Sequence, residues 1–436
     1  MRKVALSLLT LFVIASYSPT VQTQLSPPAS VPGIPQPVVV MQGRITTDLT
    51  LAAGFIYVLR GAVFIEEPAT LTIEPGVLIA GELATSGTLI IARGARIIAD
   101  GRPDAPIVMT SDQPVGSRGR GDWGGLILNG RAPINIPGGE GFGEGDTGVY
   151  GGNDPNDSSG ILRYVRIEYA GTEFSPDNEL NGIAFQGVGR GTIVDYVQVK
   201  LNKDDGVEFF GGTVDIKHAI MTGIGDDSFD WTFGWQGRGQ FLIAQQRGDD
   251  ADQGVEADNN GNNNDLLPRS NPTLHNVTLI GDPDHDEGGE SDAGMLLREG
   301  TAATIRNFIV TGFKEDGLDI DQAATFVQIA QGNLQMSHGI FFDNGPNFDD
   351  DSDEAAVAAY VAGIPTIDVI DPALVAPFNL ENPDFKPTPN SPAVDGTLPF
   401  AVAPNDGFFE VALYRGALSA DPAADWTVGW TNYEQR

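Results

Sequence analysis

One stretch of the chain, from Asn202 to Trp235, gives nearly the same sequence twice. The segment Asp204–Phe209 (DDGVEF) is followed 22 residues later by Asp226–Trp231 (DDSFDW). A short period in which an acidic turn precedes an apolar–acid–apolar triplet is typical of stacked repeats, whose units cover one another's apolar faces. The doubled segment therefore predicts a solenoid.

The period extends well beyond the doubled segment. Small residues that begin successive repeats are separated by 24, 22, 26, 40 and 23 residues, and they are Gly182, Gly206, Ser228, Gly254, Gly294 and Gly317. Nearer the N-terminus, residues 71–79 and 89–98 align with a shift of 18 and predict the first stacked coils. Variable loops on a short repeat favour a single-chain parallel β-helix over a propeller, whose repeat is about 40 to 50 residues.

Several further motifs carry a resemblance to a known family. Three of them resemble right-handed parallel β-helix proteins of the pectate-lyase-like superfamily: 71–77 (LTIEPGV), 276–282 (NVTLIGD) and 391–396 (SPAVDG). Three others resemble a group of uncharacterised bacterial secreted proteins: 225–231 (GDDSFDW), 414–417 (YRGA) and 426–432 (WTVGWTN). The resemblance implies an all-β fold, a right-handed parallel β-helix from about residue 70 onward, and no particular activity.

The order of segments along the 436-residue chain follows from composition. Residues 1–23 combine two basic residues with an apolar run, which predicts a secretory signal peptide. The apolar run is too short for a stable membrane anchor. Residues 24–37 are Pro-rich and predict an extended linker. Residues 38–345 are assigned to the β-helix and 346–436 to a C-terminal cap and tail, because an open solenoid end exposes unpaired strand edges.

The formal net charge of −34 bears on partners and location. It argues against nucleic acids and anionic membranes as partners, because their phosphates would be repelled, and it favours cations as ligands. The chain has no cysteine, so it has neither a disulfide framework nor a thiolate metal site. These features predict a bacterial protein that is secreted or displayed at the outer cell surface, with the periplasm as the alternative.

Alignment of the repeats gives a column of acids flanked by two apolar columns. The acids are Glu208, Asp230, Glu256 and, beyond Leu296, Asp319. Because side chains alternate across a strand, we expect the apolar columns inside the coil and the acids on its outer face. Stacked carboxylates about 4.8 Å apart repel unless they are protonated or bridged by a cation. The column suggests acid and base catalysis, a Ca²⁺ site or a solvated stripe that prevents sideways aggregation.

The acidic turns before the strands give the predicted catalytic residues, should the protein be an enzyme: Asp204, Asp226, Asp227 and Asp230. The ordinary role of aspartate in a turn is to hydrogen-bond its own backbone. Asn202-Lys-Asp204 followed by Asp226-Asp227 is similar to the polygalacturonase pattern, in which such residues on adjacent coils supply the acid and the base. That family also has Gly-His-Gly and Arg-x-Lys in later coils, and their absence here argues against a hydrolase of that family.

Further side chains are candidates for carbohydrate and metal binding. The predicted glycan-binding residues are Glu208, Glu256, Asp319, Arg238, Arg298 and Trp235. A coil corner at Gly234 would expose Trp235 for stacking on a sugar ring, whereas a core position would bury it. Several loops have the carboxylate density of Ca²⁺ sites without the helix-loop-helix spacing. The predicted metal ligands are Asp249, Asp250, Asp252, Asp258, Asp282, Asp284 and Asp286.

These patterns together predict a non-catalytic β-helix for adhesion, matrix or carbohydrate binding. Ca²⁺ is the expected ligand, and a polysaccharide or cell-surface glycan is the expected partner. The alternative is a polysaccharide lyase or glycoside hydrolase acting on acidic glycans. Such an enzyme would use the acid column together with a neighbouring arginine.

Overall fold

The computed structural model describes residues 36–175, 178–283, 291–348 and 354–435, together with residues 11–12. Of the predicted signal peptide, only residues 11–12 lie within these ranges. Of the predicted linker, only residues 36 and 37 do. The first strands are β1 (Leu11–Phe12), β2 (Val38–Ile45), β3 (Leu49–Leu51), β4 (Ile56–Ile65), β5 (Thr70–Ile73), β6 (Leu78–Gly81), β7 (Thr88–Ile91), β8 (Arg96–Asp100), β9 (Ile107–Ser111), β10 (Gly125–Asn129), β11 (Gly141–Gly143) and β12 (Gly148–Tyr150).

The remaining strands and the helices continue in chain order. The strands are β13 (Gly160–Glu168), β14 (Glu173–Ser175), β15 (Asn178–Glu179), β16 (Ile183–Gln186), β17 (Ile193–Lys200), β18 (Val207–Phe210), β19 (Asp215–Thr222), β20 (Phe229–Thr232), β21 (Arg238–Gln245), β22 (Val255–Ala257), β23 (Thr273–Ile280), β24 (Met295–Leu297), β25 (Ala303–Thr311), β26 (Asp319–Ile320), β27 (Leu334–Phe342), β28 (Ile367–Val369), β29 (Leu374–Ala376) and β30 (Asp384–Pro387). The helices are α1 (Ala323–Gln331) and α2 (Glu354–Ala362), with 3-10 turns at Leu83–Thr85, Glu144–Asp146 and Pro422–Ala424. No helix in the described ranges is long and apolar enough to cross a membrane.

Each central coil contributes one short strand and one long strand to a large parallel sheet. The short strands form a ladder in the order β7, β10, β16, β18, β20, β22, β24 and β26. The long strands form a second ladder in the order β13, β17, β19, β21, β23, β25 and β27. Each strand pairs with its counterpart in the next coil. The predicted all-β parallel β-helix is confirmed.

A bend divides every long strand into two halves. The residue at the bend has a φ between 49° and 58° and is skipped by the strand pairing, and these residues are Tyr164, Tyr196, His218, Phe241, Asn276, Asn307 and His338. Four of their rings stack on one another, with successive centroids 4.4, 4.2 and 5.0 Å apart. The coil therefore has three faces, which are the short strand and the two halves of the long strand.

The main core fills the inside of the coil. The apolar residues that flank the acid column, among them Val207, Phe209 and Trp231, are at most 1% exposed. The small residues at the turns are required by the close approach of adjacent coils. A Cβ atom added to Gly254 would lie 2.6 Å from the carbonyl oxygen of Gly294 in the next coil.

The predicted shift of 18 residues between the first coils is wrong as a register. Leu71 pairs with Ile97, an offset of 26 residues (97 − 71), and Leu89 pairs with Leu126 on another face. The strand–turn–strand pattern recurs on successive faces of one coil. A shift of 18 therefore compares different faces rather than stacked coils.

The segment after the last coils packs in two different ways. Val357 and Val361 of α2 belong to the main core cluster. Residues 374–435, which we call the C-terminal strap, run back along the outer face of the long-strand ladder. The strap covers Ile220 and Ile243, which point away from the main core and are buried beneath it.

Candidate functional site

The turn before each short strand carries a side chain that joins one coil to the next. Asp205 Oδ1 accepts a hydrogen bond from the backbone N–H of Asp227 at 3.1 Å. Asp227 Oδ1 accepts one from the N–H of Gln253 at 2.6 Å, and Gln253 Oε1 accepts one from the N–H of Ala293 at 2.9 Å. These Oδ1 atoms do not have the ordinary local role of a turn aspartate, because they extend along the coil axis and bond the backbone of the next coil.

The predicted acid column is in register. Glu208 pairs with Asp230, and Asp230 pairs with Glu256. Asp319 lies two coils further on, beyond Leu296, and so stands apart from the other three acids. In the opposite direction the column continues through three apolar residues, which are Ala184, Ile127 and Ile90. The outer face of the short-strand ladder is thus apolar in the earlier coils and acidic in the later ones.

The acidic part of this face is not an open, solvated stripe. The insertion that contains β11 and β12 packs on the neighbouring apolar part, where the Tyr150 ring lies 6.2 Å from the ring of Phe210. Glu208 is only 8% exposed. Its Oε2 accepts a hydrogen bond from Asn181 Nδ2 at 2.5 Å. The outer acids therefore lie in a partly buried site, and Asp230 is half-buried.

The turn acids and the column acids come together in space. Among the described residues, three groups of carboxylates have ligand atoms that all lie within 4.8 Å of one another. Two of these groups share Asp205 and two share Asp226, so the three groups are continuous. We call the combined set the acidic cluster, and its members are Asp204, Asp205, Glu208, Asp226, Asp227, Asp230 and Asp252.

Burial and mutual repulsion raise the pKa values in the acidic cluster. Burial, followed by the charge of Asp226, raises the pKa of Asp204 to about 8. Burial raises the pKa of Asp230 to about 7, although a hydrogen bond with Glu208 and the charge of Arg298 lower it. Burial also raises the pKa well above its ordinary value in three other members, which are Asp205, Glu208 and Asp227. The cluster therefore holds protons near neutral pH unless a cation replaces them.

Acids from the insertions extend the cluster at its edge. Burial and the charge of Glu179 raise the pKa of Glu144 to about 7. The charge of Glu144 in turn contributes to the raised pKa values of Asp204 and Glu208. The insertions thus add negative charge beside the cluster, which strengthens its demand for protons or cations.

Of the two predicted arginines, Arg298 lies beside the acid column and Arg238 does not. The Arg298 guanidinium pairs with Glu256 and, at 3.0 Å, with Asp258. Arg238 begins β21, in the long-strand ladder, where its Nε lies 3.0 Å from Asp215 Oδ1. Arg238 therefore lies away from the acid column, because the chain has passed onto the next face of the coil.

Trp235 lies inside the coil rather than at an exposed corner. Its ring stacks on Phe209 with a centroid distance of 3.9 Å, and its Nε1 donates a hydrogen bond to the carbonyl of Val214 at 3.0 Å. The side chain is 1% exposed. The chain turns at Gly234, where φ is 89°, but Trp235 is directed back into the core. Of the two positions considered for Trp235, the structure has the buried one, so the prediction of Trp235 as a residue that stacks on a sugar ring is wrong.

The structure separates most of the predicted metal ligands from one another. Asp252 belongs to the acidic cluster. Asp249 and Asp250 instead lie 3.0 and 3.9 Å from the guanidinium of Arg120. Arginine therefore balances the charge of these two loop acids.

The other predicted metal ligands are not members of the acidic cluster, but Asp258 lies near it, and burial together with the charge of Asp230 raises the pKa of Asp258 to about 9. Asp258 is held by Arg298, and Asp282 Oδ2 accepts a hydrogen bond from the N–H of Gly248 at 3.0 Å. The last two, Asp284 and Asp286, lie outside the described residues. Stacking of the coils, rather than acid density along one loop, produces the carboxylate grouping.

Asn181 and Asp205 belong to the site but were not among the predicted site residues. Each stands immediately before a small turn residue, as Asp227 stands before Ser228. Counting back one residue from each repeat marker would have found both. Glu144 and Glu179 lie in insertions, where the repeat gives no register, so no signal in the sequence locates them.

The protein is a parallel β-helix, and it has a partly buried carboxylate site on its outer face. A model for the pectate-lyase like β-helix domain matches residues 43–364, and the chain belongs to that family. No curated protein matches the chain. Among solved structures the chain is similar to the Dettilon tailspike protein, at 12% identity and a TM-score of 0.24. That similarity covers 70% of this chain and 55% of the tailspike chain, so this chain spans about half of the tailspike's length.

Proposed function

We propose that the protein is an exported, non-catalytic β-helix that binds Ca²⁺ in the acidic cluster and, through the cation, an acidic glycan. The glycan would belong to a cell surface or an extracellular matrix. The observation that carries the proposal is the continuity of the three carboxylate groups, in which Asp205 and Asp226 are each shared by two groups.

The donor set fits Ca²⁺. Calcium takes six to eight oxygen ligands at about 2.3–2.6 Å, so two ligands of one ion lie at most about 5 Å apart. The oxygens of each group lie within 4.8 Å of one another. Asp205 and Asp227 each use Oδ1 to accept a backbone N–H, which leaves Oδ2 for a cation. The acidic cluster can therefore supply several ligands without breaking the bonds between coils.

A cation also explains how so acidic a protein could hold an acidic glycan. Asp204 and Asp226, which form one group with Asp205, are half-buried, so an ion in that group would keep coordination positions open toward solvent. A uronate carboxylate can fill such a position, whereas the carboxylates of the metal-free cluster would repel it. Ca²⁺ is thus both ligand and bridge in this proposal.

Calcium titration of Asp226→Asn tests the cation site. We expect Ca²⁺ to raise the melting temperature of the EDTA-treated full chain, and the substitution to weaken Ca²⁺ binding by about tenfold or more, because Asp226 serves two groups. Isothermal titration calorimetry measures the affinity. Asp104→Asn is the matched control, since that side chain is 77% exposed and outside the cluster. A melting temperature that Ca²⁺ leaves unchanged would remove the cation from the proposal.

Glycan binding is tested separately with hexagalacturonate. The unsubstituted chain should bind hexagalacturonate in the presence of Ca²⁺ and release it when EDTA is added. The Asp226→Asn variant should bind hexagalacturonate weakly under both conditions. Binding that is equally strong in EDTA would show that the cation is not the bridge.

A polysaccharide lyase or glycoside hydrolase is the second candidate, because the cluster contains carboxyls that titrate near neutral pH. Asp230, with a pKa of about 7, could donate a proton beside carboxylates that remain ionised. Incubation with polygalacturonate and alginate tests this activity through the ultraviolet absorbance of unsaturated products and the release of reducing ends. Activity that disappears in Asp227→Ala or Asp230→Ala would overturn the non-catalytic assignment.

A further inference from the structure

A second polar cleft lies diagonally across the short-strand ladder from the acidic cluster. It is a shallow depression that opens widely to solvent, has a volume of about 540 Å³ and is formed by the loop after β22 and the start of α1. The acidic cluster lies in the turns before β18, β20 and β22 and at the second residues of β18 and β20, whereas this cleft lies beyond the C-terminal ends of β22 and β26. Its lining residues are Asn262, Asn263, Asn264, Asp265, Gln322 and Ala324, and none of them belongs to the acidic cluster. We call it the amide cleft.

The loop that forms the amide cleft is fixed at its base by buried amides. Asn135 Nδ2 donates a hydrogen bond to Asn259 Oδ1 at 2.9 Å, and Asn260 Nδ2 donates one to Asn135 Oδ1 at 2.9 Å. All three side chains are at most 2% exposed. Arg269 adds a hydrogen bond from Nη1 to the carbonyl of Asn264 at 2.7 Å. The loop is therefore held in one shape before any ligand binds.

The tip of the same loop leaves hydrogen-bond donors available. The Asn262 side chain makes no hydrogen bond to any residue that the structure describes. Asn263 uses its Oδ1 to accept the N–H of Asp265 at 3.1 Å, and its Nδ2 has no partner within the described ranges. Gln322 Oε1 accepts a hydrogen bond from Asn264 Nδ2 at 2.9 Å, and Gln322 Nε2 has no partner in the described part of the chain. The amide cleft thus displays the N–H groups of Asn262, Asn263 and Gln322 together with Asn262 Oδ1, while the side-chain oxygens of Asn263 and Gln322 are engaged.

The backbone at Gln322 supports a role in binding. This residue has φ 68° and ψ 140°, a region that side-chain-bearing residues rarely occupy. Such strain persists where surrounding contacts over-determine it, and it concentrates at ligand sites. Here the strain places the Gln322 amide against the loop tip, where its Oε1 also accepts the N–H of Glu299 at 2.9 Å.

We propose that the amide cleft binds the hydroxyl groups of an uncharged sugar residue. Sugar hydroxyls accept from amide N–H groups and donate to amide oxygens, and the carboxylate in the lining, Asp265, is paired with Arg269 at 2.9 Å. The proposal deepens the proposed function and rests on its assignment of a glycan ligand. A glycan with both acidic and neutral residues would contact the acidic cluster through a carboxylate and the amide cleft through hydroxyls.

Calorimetric titration with neutral hexasaccharides tests the cleft. The probes are the hexamers of β-linked glucose, xylose, mannose and galactose, each added to the full chain in Ca²⁺. We expect at least one probe to bind, and the double substitution Asn262→Ala with Asn263→Ala to weaken it by about tenfold, which corresponds to about 1.4 kcal/mol. Gln331→Ala is the matched control, because this exposed amide lies at the other end of α1 and outside the cleft.

The outcomes of the two proposals are distinguishable. Asp226→Asn should lose the Ca²⁺-dependent stabilisation and still bind the neutral hexasaccharide. The double amide variant should keep the Ca²⁺-dependent stabilisation and bind the neutral hexasaccharide weakly. The cleft proposal is overturned if no neutral probe binds, or if the double variant binds it as tightly as the control does. It is also overturned if the double variant loses Ca²⁺ binding, since the loop would then be a cation site.

Discussion

At the scale of single residues, one carboxylate can join coils and still serve a site. Asp227 Oδ1 accepts the N–H of Gln253 in the next coil, while the carboxyl also belongs to a group with Asp226 and Asp252. The residues that align the turns are thus the residues that bring the acids together. The cost of this arrangement is a set of carboxyls whose pKa values are raised by burial.

We expect the stability of the metal-free protein to fall as pH rises from about 4 to about 8. An aspartate in the unfolded chain ionises near pH 4, whereas the pKa is about 8 for Asp204 and about 7 for Asp230 in the folded state. The cluster carboxyls of the folded state therefore hold protons that the unfolded chain has lost, and they outnumber His275, whose pKa burial lowers to about 4, so linkage makes the unfolding free energy decrease with pH. Thermal melting in EDTA from pH 4 to pH 8 measures the slope.

Two comparisons check the origin of that slope. Asp230→Asn should make it shallower by removing one titrating group, and saturating Ca²⁺ should flatten it further. A melting temperature in EDTA that rises with pH over this interval would contradict the raised pKa values.

At the scale of the structural element, the turn before each short strand sets the spacing of the coils. The small residue in that turn lets the backbone approach the next coil, as Gly254 approaches Gly294. The side chain just before it then reaches the next N–H. The repeat visible in the sequence is therefore a packing requirement first, and the acids use the geometry that it creates.

We expect Gly254→Val to destabilise the fold by roughly 1–3 kcal/mol or more, because overpacking forces the coils apart. The added side chain would meet the carbonyl of Gly294 at 2.6 Å and the ring of Phe313 at 3.0 Å. Urea denaturation measures the change in unfolding free energy. Gly119→Ala is the control, because its Cβ would find its nearest neighbour at 3.8 Å, and its effect should stay within about 0.5 kcal/mol. Equal stabilities for the two variants would refute the packing argument.

At the scale of the whole molecule, the C-terminal strap turns an outer face of the β-helix into a second interior. Buried side-chain amides hold the strap through pairs of hydrogen bonds, in which one amide donates to the carbonyl and accepts from the N–H of the same strap residue. Gln240 Nε2 donates to the carbonyl of Glu410 at 2.9 Å, and Gln240 Oε1 accepts the N–H of the same residue at 2.7 Å. Asn307 makes the same pair of bonds with Ala401 at 2.8 and 2.7 Å. The strap thus covers the outward isoleucines without adding a strand to the sheet.

Gln240→Ala should loosen the strap locally. The substitution leaves the N–H and the carbonyl of Glu410 without their partner, at a cost of roughly 1–3 kcal/mol. Hydrogen exchange of the backbone at 408–412, followed by mass spectrometry, should become faster, while exchange in the acidic cluster should not change. Gln331→Ala, an exposed amide on α1, is the control. Unchanged exchange around Glu410 would show that these bonds do not hold the strap.

The sequence by itself determined the β-helix, the inward apolar columns and the register of Glu208, Asp230 and Glu256. These features depend on contacts between neighbouring coils, which repeat at a short interval and can be found by counting. The same counting locates Asn181 and Asp205 at the turns. Most of the fold and the centre of the candidate site were therefore within reach of the sequence.

Only the tertiary structure decided which outer side chains are exposed. The insertion with Tyr150 and Glu144 and the C-terminal strap contact coils that are distant in sequence, and no period specifies where such segments lie. For this reason the structure encloses Glu208, which sequence alternation alone would leave solvated on the outer face. Trp235 is buried because the chain direction after Gly234, rather than strand alternation, sets where its side chain points.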